Sequence, residues 1–230
     1  MVAENLPCKV ITYGLEHDAE YSASDITYDE FGHPTFHVLH NGADIGICSL
    51  KVPGIHNVSN ALASIAAGRL LGLDNEVIFA GLKDFGGTDR RFQYKGKIGD
   101  VTIIDDYAHH PTEIKATLTA AQKYPHRQIW CVFQPHTYTR TKAFFHEFAD
   151  ALSLADKIVL ADIYAARETD PGDIHSRDIQ KLLLEKGKEA YYFPSFEEIE
   201  KFLREKCING DLLITMGAGD VVLVGEALIK

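Results

Sequence analysis

Cysteine is scarce and scattered in this sequence. Cys8, Cys48, Cys131 and Cys207 lie far apart, and none belongs to a C-x-x-C pair. That spacing argues against a zinc site or a disulfide framework. Cys48 and Cys131 sit inside apolar runs and read as small buried hydrophobes. No apolar run approaches the length of a membrane span. The start, Met1 to Pro7, lacks the basic and apolar regions of a signal peptide. Positive charge is also short: 23 Lys and Arg face 33 Asp and Glu, for a net charge of −10. Bulk electrostatics therefore argues against a nucleic-acid partner, although a local basic cluster can still grip a small anion. There is no internal repeat and no low-complexity tract. G-x-x-x-x-G-K-[S/T] is missing too, because Gly96-Lys97 and Gly187-Lys188 lack that context. A triphosphate cradle of that kind is not on this chain. The expectation is a reduced, cytoplasmic protein without a membrane or nucleic-acid partner.

What is present suffices for one large or two modest cores: 230 residues, 46% hydrophobic and 24% charged. The first fifty residues read as antiparallel sheet. Residues 9–13 and 25–28 are β-branched runs, and residues 35–40 and 43–52 flank Asn41-Gly42, a strong hairpin signal. His17, His33, His37 and His40 show no recurrent ligand spacing and read as surface or strand-face residues. Pro53-Gly54 then changes the pattern. Residues 57–72 place Ala61, Leu62, Ile65, Ala66 and Leu70 at helical spacing, with Gly72 as a stop. A second helix is expected over 75–83, and a domain boundary in the loop 88–93, giving domains 1–92 and 93–230.

Beyond it the rhythm is strand, loop, helix. Strands are expected at 101–104, 128–133, 157–161, 189–193 and 211–215. Helices are expected at 112–123, 142–152, 176–186 and 196–207, with one more at the end. Such alternation implies an α/β fold, a mostly parallel open sheet covered on both faces. Its polar strand-to-helix loops gather on one edge, the usual ligand edge.

The densest of these loops follows residues 101–104. Asp105-Asp-Tyr-Ala-His-His-Pro-Thr-Glu113 crowds two carboxylates, a phenol and two imidazoles at one corner. Asp105 and Asp106 are expected to end the strand abruptly, and Pro111 suits a first helical turn. A capping Asp with solvated histidines is the plainer reading of any one residue; the cluster as a whole favours a site. His109-His110 invites a metal, but adjacent residues at a helix entrance rarely both point at one ion, so no metal ligand is assigned. His136 and Arg140 stand after another buried strand, beside that corner if the two strands pair. Arg140 suits a carboxylate, and Arg90-Arg91 suits phosphate oxygens. Asn57 and Asn60, with His56, offer amides at a helix entrance that match a purine edge, although N-capping by Asn57 is the better local account. Gly217-Ala-Gly219 lacks the third glycine of a dinucleotide fingerprint and reads as a tight turn.

These segments together resemble the Mur ligases, from about Tyr13 to the C-terminus. The anchors are Gly54-Ile-His-Asn-Val-Ser-Asn60, Asp89-Arg-Arg-Phe-Gln93, Asp105-Asp-Tyr-Ala-His-His-Pro-Thr-Glu113, Phe133-Gln-Pro-His-Thr-Tyr-Thr-Arg-Thr141 and Thr215-Met-Gly-Ala-Gly-Asp220. The resemblance implies the tail of a central ATPase domain, a β-hairpin and helix segment, followed by a Rossmann-like C-terminal domain. It implies a fragment that lacks a nucleotide-sugar domain and a P-loop and is inactive alone. It also implies ATP and Mg2+ as cofactors, and UDP-N-acetylmuramate and L-alanine as substrates of the complete enzyme. The reaction would pass through an acyl phosphate, in peptidoglycan precursor synthesis for the cell wall. By that likeness His56, Asn57 and Asn60 meet adenine and Arg91 reaches the phosphates. Asp106, Tyr107 and His109 face the ribose and the centre, and His136 and Arg140 hold alanine. Thr137 stands where arginine is common in the family. Two alternatives remain: the related ligase that recycles a whole peptide, and a non-catalytic nucleotide- or partner-binding module.

Overall fold

The computed structural model describes residues 7–15 and 19–230, so His17 and Met1 to Leu6 lie outside the described residues. The chain forms two compact units, Met1–Gly86 and Gly87–Lys230.

The first unit is a three-stranded antiparallel sheet with two helices. Its strands are β1 (Tyr21–Tyr28), β2 (Pro34–His40) and β3 (Ala43–Ser49), in the order β1-β2-β3. The run 9–13 does not become a strand; only Tyr13 pairs, through an isolated bridge to Tyr21. The hairpin falls at Asn41-Gly42, with φ 51° and 79°, the double left-handed turn that matches strand twist. His33, His37 and His40 each face a carboxylate on this surface, Asp29, Asp44 and Glu20 respectively. Helix α1 (Ile55–Leu70) starts two residues earlier than expected. Its N-cap is Gly54 at φ 98°, and Asn57 lies inside the first turn, so Asn57 does not cap it. The Pro53-Gly54 turn already delivers the chain in helical direction. Gly72 stops the helix as expected: its N–H bonds to Arg69 O and that of Leu73 to Gly68 O, a paired C-terminal closure. Helix α2 (Asn75–Asp84) follows. Phe36, Val38, Cys48, Val58, Leu62 and Ile65 fill the core between sheet and helices.

The second unit is a six-stranded sheet between helical layers. In chain order it contains β4 (Gln93–Ile98), β5 (Val101–Asp106), α3 (Pro111–Ala121), β6 (Ile129–Phe133), α4 (Tyr138–Ala143) and α5 (Phe145–Leu152). Then come β7 (Lys157–Leu160), α6 (Ser176–Glu185), β8 (Glu189–Tyr192), α7 (Phe196–Lys206), β9 (Leu212–Met216) and α8 (Val222–Ile229). The strand order is β4-β5-β9-β6-β7-β8, parallel except for β4 against β5. Ile114, Leu118, Phe148, Leu152, Ile179 and Leu183 cover one face from α3, α5 and α6. Ile199, Leu203, Val224 and Leu228 cover the other from α7 and α8. At roughly 25 cal/mol per Å2 of apolar surface removed from water, such side chains contribute about 1.5–3 kcal/mol each.

Four details differ from the expectation. β4 was not anticipated, because Gln-Tyr-Lys-Gly-Lys-Ile carries the short, lysine-bearing pattern of an exposed edge. β5 does not stop at Ile104 but runs on through Asp105 and Asp106, both buried. The helix expected at 142–152 is two helices that break at Phe144, φ −115°. And β5 does not pair with β6: β9 lies between them and bonds to both. No described helix is long and apolar enough to cross a membrane.

Candidate active site

The carboxyl ends of β5, β9, β6 and β7 adjoin in that order, so the segments after them share one edge. Insertion of β9 makes this the point where the chain reverses its direction across the sheet, the position at which open α/β sheets bind ligands.

The two aspartates at the end of β5 are committed to architecture. Asp105, fully buried, accepts from Arg90 Nε at 2.9 Å and from Thr215 Oγ1 at 2.6 Å. Arg90 also donates to Gly217 O at 2.7 Å and lies 4.7 Å over the Tyr107 ring. Asp106 is 4% exposed, and its two oxygens accept the N–H groups of Phe92 and Ala108, each at 2.8 Å. Burial pushes the Asp106 carboxyl up, against those N–H groups, the Thr117 hydroxyl and the Arg91 charge. Between these anchors Arg90 and Phe92 take φ 59° and 46°, left-handed values that persist only where the surroundings fix them. Arg91, between them, is exposed. Of the two arginines, Arg90 is thus bound into the fold and Arg91 is presented.

Beyond Asp106 a line of rings crosses the end of β9. Arg91 lies 5.9 Å from the Tyr107 ring, Tyr107 5.5 Å from His109, and His109 5.8 Å from His136. The reach across β9 is made by the loops, not by strand pairing. His109 Nδ1 donates to Tyr107 O at 3.0 Å, so in the neutral ring Nε2 is the acceptor. His110 turns away, caps α3 and packs on Phe144. Glu113 closes the capping box by accepting from the N–H groups of His109 and His110 at 3.0 and 3.2 Å. Burial raises its carboxyl, but these bonds and the His109 and Arg91 charges leave it below the usual glutamate value.

His136 extends β6 by an isolated bridge to Tyr164, whose ring stacks on it at 5.6 Å. Arg140 Nη1 donates to His136 Nδ1 at 3.1 Å. Burial, then the Arg140 and His109 charges, push the His136 imidazole down, against Glu168. Neutral and hydrogen-bonded at Nδ1, it presents Nε2–H. Among the described residues Arg140 makes no ion pair with a carboxylate. Gln134 supports the corner by donating to Asp220 Oδ1 at 3.0 Å. Sequence reading quoted Gln134 and Gly219 within longer segments without giving either a site role, and passed over Tyr164 and Glu168, because nothing in their local pattern marks them.

Comparison with known proteins decides what this geometry belongs to. Residues 90–219 match the Mur ligase glutamate ligase domain, and residues 1–68 the Mur ligase middle domain. The chain belongs to the Mur ligase family. It is 62% identical over 229 residues to UDP-N-acetylmuramate–L-alanine ligase of Agathobacter rectalis, covering all of this chain and half of that protein. It is 57% identical over 237 residues to the ligase of the same name from Lachnoclostridium phytofermentans, again half of that protein. The crystal structure of UDP-N-acetylmuramate-alanine ligase from Thermotoga maritima superposes with TM-score 0.80 at 31% identity, over 95% of this chain and 47% of that one. A murein peptide ligase from Psychrobacter arcticus superposes with TM-score 0.64 at 25% identity, over 92% and 44%. The chain thus spans about half the length of the relatives it matches.

In this Mur ligase chain, Arg91, Tyr107, His109, His136 and Arg140 come together at one sheet edge, with Asp106 buried beneath them. His56, Asn57 and Asn60 belong to the other unit. There Asn57 Nδ2 donates to Pro53 O at 2.8 Å and Asn60 Nδ2 to Asn57 Oδ1 at 3.1 Å, so the two amides do share a face. Among the described residues no three His, Cys, Asp or Glu side chains gather as a metal site. Asp105 and Asp106 have their oxygens filled by protein donors and do not fit a magnesium ion. An exposed guanidinium on a strained loop does fit phosphate oxygens.

Proposed function

We propose that this chain is the amino-acid-receiving part of a cytoplasmic, ATP-dependent ligase. The ligase joins L-alanine to UDP-N-acetylmuramate in peptidoglycan precursor synthesis. The observation that carries this reading is 62% identity, across the whole chain, to a protein bearing that activity in its name. The chemistry of the site is in keeping with it. An amine must be aimed at an activated carboxyl carbon, and correct placement of reactants supplies much of the rate. Arg140, with a fork but no carboxylate partner among the described residues, would hold the alanine carboxylate, and His136 Nε2–H would donate to it. The alanine ammonium must lose a proton before it attacks, and His109 Nε2 would take it. Arg91 would steady phosphoryl charge, and Tyr107 would line the path between the two ends. Asp106 would act from beneath, by holding the 90–92 loop. His56, Asn57 and Asn60 would meet the adenine of ATP. Magnesium would draw its ligands from outside Asp105 and Asp106.

The test is a fusion of this chain to the N-terminal half of the Agathobacter rectalis ligase. It should form product with ATP, UDP-N-acetylmuramate and L-alanine, whereas the 230-residue chain alone should form none. Preference of the fusion for a tripeptide would move the assignment to the peptide-recycling ligases. Turnover by the isolated chain would overturn the fragment reading.

A further inference from the structure

Helix α4 carries Arg140 yet has only six residues. A helix so short does not sustain itself, since nucleation uses most of what its few bonds return. It also starts from Thr137 at φ 66° and ψ 144°, a place a β-branched residue occupies only under outside constraint. The constraint comes from the segment after β7. Thr137 N–H donates to Tyr164 O at 2.9 Å, and Tyr164 N–H donates to Pro135 O at 2.8 Å. Four residues further on, Glu168 Oε2 accepts from Thr139 N–H at 2.9 Å. That bond holds the Glu168 carboxyl below the usual glutamate value, and Thr137 Oγ1 closes the same turn by accepting the Arg140 N–H at 3.4 Å. Glu168 therefore takes a first-turn donor of α4 from outside the helix. So occupied, it does not close on the Arg140 guanidinium, which instead rests on His136.

We propose that Glu168 is a positioning residue for the incoming amino acid: it clamps the first turn of α4 and so holds Arg140 against His136, ready for a carboxylate. That the carboxylate is alanine's rests on the ligase reading above; the clamp itself does not. Tyr164 completes the arrangement from the same segment. Its ring lies against His136 on one side and against Gly219 on the other, where an added methyl would stand 2.9 Å from Tyr164 Cγ.

The ring of His136 reports on the clamp without any ligand. Arg140 donates to Nδ1, so nitrogen-15 NMR of the 230-residue chain should show the Nε2–H tautomer. Glu168→Gln keeps an oxygen for Thr139 N–H but removes a negative charge that favours protonated His136. The other charged groups facing that ring, Arg140 and His109, remain. The tautomer should persist and the titration midpoint of His136 should fall. Glu168→Ala removes the clamp, so the tautomers should mix and L-alanine should perturb the ring at least roughly ten-fold less tightly, about the worth of one charge-assisted bond. A merely structural glutamate would lower the melting temperature and leave the tautomer and the alanine affinity unchanged. A folded Glu168→Ala that keeps both the Nε2–H tautomer and the wild-type alanine affinity sinks the proposal; should that variant fail to fold, Glu168→Asp, whose shorter arm falls short of Thr139 N–H, gives the same readout. If alanine leaves the wild-type ring undisturbed while tautomer and midpoint follow Glu168, the clamp stands and the amino-acid assignment falls.

Discussion

At the scale of single residues, the site separates side chains that build it from those it presents. Arg90 and Arg91 are identical in sequence terms, yet one is sealed against Asp105 and Gly217 and the other projects from a loop held at φ 59° and 46°. Residue type and spacing offer the pair as a phosphate clamp without dividing it, and only the family likeness singles out Arg91. The division depends on Asp105 and Thr215, which are 110 positions apart. Arg140 is the residue whose function is most open to direct test. Lysine there would keep the charge but not the planar fork, and a point ammonium cannot both donate to His136 Nδ1 and grip a carboxylate in two places. In a complete ligase, Arg140→Lys should cost about 1.5–3 kcal/mol of alanine use, or roughly ten- to more than a hundred-fold in kcat/KM. The KM for ATP should move far less. A variant with normal alanine kinetics would take Arg140 out of the site.

At the scale of elements, periodicity made most of the strands and helices legible, because buried parallel strands and amphipathic helices write their burial into composition. The hairpin at Asn41-Gly42 and the stop at Gly72 were readable for the same local reason. Order in the sheet was not. β5, β6 and β9 are each buried on both faces, so nothing in their sequences says which lies in the middle. The break at Phe144 escaped because residues 138–152 carry no proline or glycine to mark it. The glycines after β9 are the element-level consequence of that order. Gly219 looks like part of a turn, but its neighbour across the edge is Gln134, and an added methyl would stand 2.3 Å from Gln134 Oε1. Gln134 is buried and tied to Asp220, and the Tyr164 ring stands 2.9 Å away, so both would have to give way. Gly219→Ala should therefore destabilise the second unit by about 1–3 kcal/mol, as overpacking does, and loosen Tyr164 from His136. Gly81→Ala in α2 meets nothing within 4 Å and should instead stabilise by about 0.5–1 kcal/mol. Denaturant melts of the two variants would check both signs.

At the scale of the whole molecule, the boundary between units decides what can stand alone. A cut at 92/93, suggested by the glycine-flanked loop, would keep every strand and helix of the second unit. It would also remove Arg90 and Phe92, whose bonds go to Asp105 and Asp106. Asp105 is fully buried and would be left with Thr215 alone. Stripping one partner from a buried pair costs about 3–5 kcal/mol. Arg90 is partly exposed, with 24% of its side chain open to solvent, so the lower end applies. A domain of this kind has only about 5–15 kcal/mol to lose. The piece 87–230 should therefore unfold cooperatively at a clearly higher denaturant concentration than the piece 93–230. The slopes of the two transitions should be similar, because the surface exposed is nearly the same. Asp105→Asn should weaken 87–230, where it breaks a pair, and should leave 93–230 unchanged or improve it, since there it removes an uncompensated buried charge. Equal midpoints for the two pieces, or Asp105→Asn weakening both alike, would mean that Arg90 contributes nothing to the second unit. The order of its phosphate-facing loop would then have to come from somewhere other than the carboxylates beneath it.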